Sequence, residues 1–174
     1  AIGGGERIKI QSMSTSKISN VDKVVEECLL LKQEGLDIMR FSVLDDLDAR
    51  SFKAVKDRTN IPLVADIHFD YRLAIQCIEN GIDALRINPG NIGSEDRVKA
   101  VADACKNAGV PIRIGVNSGS VEKELLKKYG APCPEAIVES AMGHIEMLKN
   151  QNEEFLKKAR KHLNSFGHEA NTTH

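Results

Sequence analysis

The chain has 174 residues, enough for one domain with a hydrophobic core, and its formal net charge of −1 gives no support for a nucleic-acid partner. A hydrophobic fraction of 41% and a charged fraction of 28% fit a globular protein in water. No apolar run approaches the roughly 18 residues of a membrane span, and the N-terminus lacks a basic region followed by an apolar one. The chain therefore reads as cytoplasmic with no membrane partner, or as organellar if a transit segment has been removed.

In chain order, Arg7 to Gln11 reads as a short strand after Gly3-Gly4-Gly5. Val21 to Glu34 is a helix with Val21, Val24, Val25, Cys28, Leu29 and Leu31 on its apolar side and Gly35 as its stop. Leu36 to Val43 is a strand, followed by a helix from about Asp46 to Arg58. Pro62 to His68 is the next strand, and Tyr71 to Asn80 a helix ending at Gly81. Ile82 to Asn88 is a strand, and Glu95 to Ala108 a helix ending at Gly109. Pro111 opens a fifth strand that runs into Ser118-Gly119-Ser120, followed by helices from Val121 to Tyr129 and from Pro134 to Lys149. Beyond these, Phe155, Ala159, Leu163 and Phe166 fall at helical spacing, so Glu153 to Phe166 is expected to be amphipathic helix, with disorder after Gly167. Strands alternating with helices at this spacing predict βαβ units and a parallel sheet.

The strands are apolar on one face only. Met39, Phe41 and Val43 oppose Arg40 and Ser42; Leu63, Ala65 and Ile67 oppose Asp66 and His68; Leu85 and Ile87 oppose Arg86 and Asn88. In the fifth strand Ile112, Ile114 and Val116 oppose Arg113, Gly115 and Asn117. An open sheet covered by helices on both sides is apolar on both faces. One apolar face, and another that turns polar toward each strand's C-terminal end, is what a (βα)8 barrel requires. The expected fold is thus α/β, with about five parallel βα units of a TIM-type barrel over residues 1–149, truncated relative to the full eight, and a helical tail over 150–174. A buried guanidinium without a partner is costly, so something negative should sit above Arg113. The small polar strand end before a helix offers backbone N–H groups to the same anion.

Of the four cysteines, Cys28, Cys77 and Cys105 fall in predicted helices and Cys133 in a loop between Pro132 and Pro134. None has metal-ligand spacing, and each reads as structural or incidental.

The phrases Q-S-M at Gln11 to Met13, M-R-F-S-V at Met39 to Val43, P-L-V-A-D-I-H-F at Pro62 to Phe69, R-I-N-P-G-N-I-G at Arg86 to Gly93 and P-I-R-I-G-V-N-S-G-S at Pro111 to Ser120 occur in series. From about Ile2 to Leu148 the chain resembles the N-terminal barrel of the 4-hydroxy-3-methylbut-2-enyl diphosphate synthase (IspG/GcpE) family of the non-mevalonate (MEP) isoprenoid pathway. The resemblance implies an oxidoreductase that opens 2-C-methyl-D-erythritol 2,4-cyclodiphosphate and removes a hydroxyl with two electrons. It implies a barrel that grips the diphosphate and a separate domain holding a [4Fe–4S] cluster, with ferredoxin or flavodoxin as electron donor. By position in the phrases it assigns substrate binding to Arg40, Arg86, Asn88, Arg113 and Asn117, with Asp66 and His68 at the same mouth.

The residues themselves point the same way. Three arginines and one aspartate on the polar face leave an excess of about two positive charges, suited to a diphosphate that Arg binds in bidentate fashion. The alternative is that each arginine pairs with a carboxylate of its own. His68 is a proton donor, a phosphate ligand or a wall of the pocket, with binding favoured over proton transfer; Asp66 is the other side chain with a conceivable catalytic part. Ser118 and Ser120 donate to phosphate, or Ser120 caps the next helix. Gly90, Gly93 and Gly119 read as turn formers, and Gln11, Ser12 and Met13 as pocket wall.

The family's later strands and cluster cysteines have no counterpart after Lys149. The expectation is therefore a chain that binds the diphosphate but ligates no cluster and is inactive alone. Five strands leave sheet edges open, which predicts pairing of two chains into a homo-oligomer. Two other readings stay open, a pterin- or phosphate-binding barrel of the dihydropteroate-synthase type and a catalytically silent half-barrel that binds or assembles.

Overall fold

The computed structural model describes residues 5–149; the expected helix from Glu153 to Phe166 and the tail after Gly167 lie outside them. Five parallel strands form one sheet in the order β1-β2-β3-β4-β5, namely Gln11–Met13, Ile38–Val43, Leu63–Ile67, Ala84–Ile87 and Ile112–Ile114. Between them run α1 (Val21–Gln33), α2 (Asp46–Thr59), α3 (Tyr71–Glu79), the single turn α4 (Pro89–Ile92) and α5 (Glu95–Ala108). A 3₁₀ turn at Ser118–Ser120, α6 (Lys123–Tyr129) and α7 over 134–149 follow the last strand.

Local chemistry sets these boundaries. Asp45 caps α2 by accepting from the Asp48 amide at 2.9 Å, and Asp70 caps α3 by accepting from the Arg72 amide at 3.0 Å. Gly109 ends α5 with φ +68°, a conformation that side-chain-bearing residues resist.

The apolar strand faces lie under the helices. Met39, Leu63, Ala65, Ile67, Leu85 and Ile87 are fully buried, together with Val24, Cys28, Phe52, Val55, Cys77, Val98 and Val101 from the helices. Phe41 meets Phe52 edge-on with ring centres 6.0 Å apart. Helices α1, α2, α3 and α5 pack in succession, so one layer of helices covers one face of the sheet.

The first strand is displaced from its expected position. The expected strand spans Arg7 to Gln11, but Ile8 and Ile10 are exposed and pairing starts only at Gln11. The amides of Asp37 and Ile38 converge on the Ile10 carbonyl, and the Arg7–Asp37 ion pair and the Ile10 amide on Asp37 tie this segment down outside the ladder. A polar anchor, not burial, fixes the entry to β1.

Candidate functional site

The register builds the site. Ser42, Asp66, Arg86 and Arg113 are mutual neighbours across β2, β3, β4 and β5, one row of side chains on the face opposite the helices. One step toward the strand N-termini, Met13, Arg40, Val64 and Ala84 form the row below. The lower row is mostly apolar and the upper one polar, the arrangement of a barrel interior packed at the bottom and functional at the top.

Asp66 is the centre of charge. Its carboxylate is 4% exposed, accepts from Arg86 Nη1 at 2.9 Å and lies 3.7 Å from Arg40 Nε. Arg40 also donates from Nη2 to the Met13 sulfur at 3.1 Å. Arg113 has no carboxylate within ion-pair distance among the described residues; its Nη1 approaches Gln11 Oε1 at 3.4 Å. Two guanidinium groups thus share one carboxylate and the third carries its charge uncompensated. An anion with two negative charges matches this excess of positive charge.

The Arg113–Gln11 contact also reports the sheet's shape. These residues sit on β5 and β1, the two outermost strands, about 19 Å apart across a flat sheet with strand spacings of about 4.8 Å. Their side chains meet only because the sheet curls toward its polar face, as in a barrel wall.

The other expected site residues fall at the same strand ends with different freedoms. His68 is half-buried one residue past β3, beside Phe69. Asn117 and Ser118 are exposed. Asn117 Oδ1 accepts from the Gly119 amide at 2.9 Å, and the Ser120 hydroxyl accepts from the Asn117 amide and donates to its carbonyl, both at 3.1 Å. Ser120 is therefore committed to the turn, and Asn117 keeps its NH2 donors for a ligand. Asn88 is only 2% exposed; its Oδ1 accepts from the Gly90 amide at 3.2 Å, while its Nδ2 is buried without a partner. It stands behind the rim, a position that the alternation with Arg86 did not reveal because Asn88 already caps the turn of α4.

Two residues carry roles that the sequence does not signal. His144 on α7 is 5% exposed, 3.1 Å from Glu122 Oε1, and close to Gly90 beneath the β4 loop. Burial lowers its pKa from the usual value, and the Glu122 charge opposes that shift in part. A histidine on a helix's inner side gives little warning of this. Gly115, noted only for its face, lies directly against Arg86.

No three His, Cys, Asp or Glu side chains gather to hold a metal ion among the described residues. Cys28, Cys77 and Cys105 are buried, their thiols pushed up to about 11, about 12 and about 12 by burial, and Cys133 stands apart at intermediate exposure. These positions do not fit an iron–sulfur cluster. Among the described residues, no helix is long and apolar enough to cross a membrane.

A parallel βα sheet, curled toward a polar face with cationic side chains gathered near the strand ends, defines an α/β protein of the TIM-barrel class. A family model described as the GcpE TIM-barrel domain matches residues 1–166, and the chain belongs to that family. Among its relatives is a protein named 4-hydroxy-3-methylbut-2-en-1-yl diphosphate synthase (flavodoxin) from Caldanaerobacter subterraneus subsp. tengcongensis, 55% identical over 148 residues, which are 85% of this chain and 42% of that protein. The protein of the same name from Hahella chejuensis is 56% identical over 147 residues, 84% of this chain and 40% of that one. The chain thus spans about two fifths of the length of these curated relatives. Among solved structures, the Yersinia pestis dihydropteroate synthase superposes with a TM-score of 0.58 over 83% of this chain and 52% of that one; at 11% identity this is a likeness of fold alone.

Proposed function

We propose that this chain is the substrate-binding barrel portion of an enzyme that reductively converts 2-C-methyl-D-erythritol 2,4-cyclodiphosphate to 4-hydroxy-3-methylbut-2-enyl diphosphate in isoprenoid biosynthesis. The observation that carries the reading is the shared carboxylate: Arg40 and Arg86 are held by Asp66, Arg113 is not, and all three belong to one polar strand face. Family membership and relatives named for a diphosphate product support the same ligand class.

In this reading Arg113, the free donors of Arg40 and Arg86, the Asn117 amide and the Ser118 hydroxyl grip the diphosphate, and His68 lines its edge. Asn88 shapes the rim from behind, and Asp66 orients the guanidinium groups without touching the anion. The family's [4Fe–4S] cluster would supply the two electrons; Cys28, Cys77 and Cys105, buried on three different helices, do not fit it as ligands. The donor is flavodoxin, as the relatives' names state for those proteins. The chain alone binds and does not reduce. The outer edges of β1 and β5 are unpaired among the described residues, which favours association of two chains; sedimentation of the chain as a monomer contradicts that part.

Calorimetric titration of the full 174-residue chain with the cyclic diphosphate tests the reading. Saturable binding is expected, weakened by more than ~1.5 kcal/mol in Arg113→Ala, the loss of one charge-assisted contact. Preference for a pterin diphosphate assigns the chain to dihydropteroate-synthase chemistry instead, and no heat with either ligand marks a silent half-barrel.

A further inference from the structure

Arg86 is the most constrained of the three site arginines, and the constraint comes from two sides. On one side Nη1 donates to Asp66 at 2.9 Å. On the other, a Cβ built on Gly115 would overlap Nε and Nη2 and lie 2.5 Å from Cζ, so the guanidinium fills the volume that any side chain at position 115 would need. Gly115 adopts no conformation reserved for glycine, and its amide donates to the Ile87 carbonyl at 2.8 Å, extending the β4–β5 ladder by one residue. Turn geometry therefore does not explain a glycine here. Close approach does: the bare backbone of β5 is the surface on which the Arg86 side chain is seated.

We infer that Gly115 is a positioning residue for anion binding, setting where the Arg86 guanidinium points between Asp66 and the β5 backbone. This rests on the proposed diphosphate site and deepens it. Asp66 alone fixes one nitrogen of Arg86 and leaves the plane free to swing about that contact. The flat backbone at Gly115 removes the swing, so the remaining donors are aimed before an anion arrives. Preorganisation of this kind raises affinity by lowering what binding must order. Because the colliding group is the end of a flexible side chain, a methyl at 115 can be accommodated by moving Arg86 alone. The fold is then retained while the aim is lost.

The test is a double-mutant cycle read by calorimetry with inorganic pyrophosphate on the full chain. Gly115→Ala is expected to weaken pyrophosphate binding about tenfold, with a thermal midpoint close to that of the unmodified chain. In an Arg86→Ala background the same substitution is expected to change the affinity less than twofold, because the methyl then meets no guanidinium. Gly143→Ala on α7, where an added Cβ meets nothing within 4 Å, is the control and should leave affinity unchanged. If Arg86→Ala binds too weakly to measure, the Arg86 Nε–H resonance of the ligand-free protein decides: it moves in Gly115→Ala and stays in Gly143→Ala. Undiminished binding by Gly115→Ala, an equal loss in the Arg86→Ala background, or an unmoved Arg86 resonance overturns the inference. Failure of the unmodified chain to bind pyrophosphate overturns the diphosphate reading itself, a distinct outcome.

Discussion

The central strands β2 to β4 and the outer strand β5 carry the same alternating pattern but are held in different ways. In the centre, Phe41, Leu63, Ala65, Leu85 and Ile87 are at most 1% exposed, and two arginines on the opposite face are anchored to Asp66. On β5, Ile112 and Ile114 are only half-buried, and Arg113 is exposed with one long contact to Gln11. A groove of about 410 Å³ lies outside β5, between α5 and α7. Labour is divided between the two regions. Buried, paired charge in the centre sets geometry, and the less constrained cation at the margin is the one available to a ligand.

Centre and margin differ most in the core. Phe41→Ala should cost about 4 kcal/mol in urea unfolding, because Phe41 is encased and packed edge-on against Phe52, whereas Ile114→Ala on half-buried β5 should cost under about half of that. Equal losses would erase the distinction between centre and margin. Next is charge: Asp66→Asn should cost about 3 kcal/mol, since it leaves two guanidinium groups facing each other without a counter-charge. A third effect belongs to the supports under the rim. Burial holds the His144 pKa below its unfolded value, so as pH falls through about 6.5 the unfolded chain takes up a proton before the folded one. Stability contributed by neutral His144 is complete above that pH and lost on acidification. His144→Gln should flatten the acid limb of a stability–pH curve, and an unchanged limb refutes the assignment. The smallest effect on stability should come from Arg113→Ala, within about 0.5 kcal/mol, because its guanidinium has no buried partner.

Much of this was legible in period-2 alternation. Arg86 and Arg113 share a face with Asp66 because a strand sends alternate side chains to one side, and parallel pairing then aligned them in one row. The helix Glu95 to Ala108 has the bounds its pattern gives, with Gly109 as its stop. What stayed hidden depends on three-dimensional closure or on local polar competition. The meeting of Gln11 with Arg113 needs sheet curvature, which no local window contains. The late start of β1 reflects Asp37 capturing Arg7 and the Ile10 amide, a contact between segments. The turn Pro89 to Ile92 and the burial of Asn88 follow from an asparagine cap within what reads as a strand end, and the two roles look alike in one dimension.

The most direct test of the claim that three converging arginines form an anion seat is a crystal structure of the full chain soaked in inorganic pyrophosphate. Phosphate oxygens are expected within hydrogen-bond distance of Arg113 and of at least one of Arg40 and Arg86, with Asp66 still bridging the latter two. Pyrophosphate bound elsewhere, or Arg113 turned away from it, would show that these arginines form no anion seat.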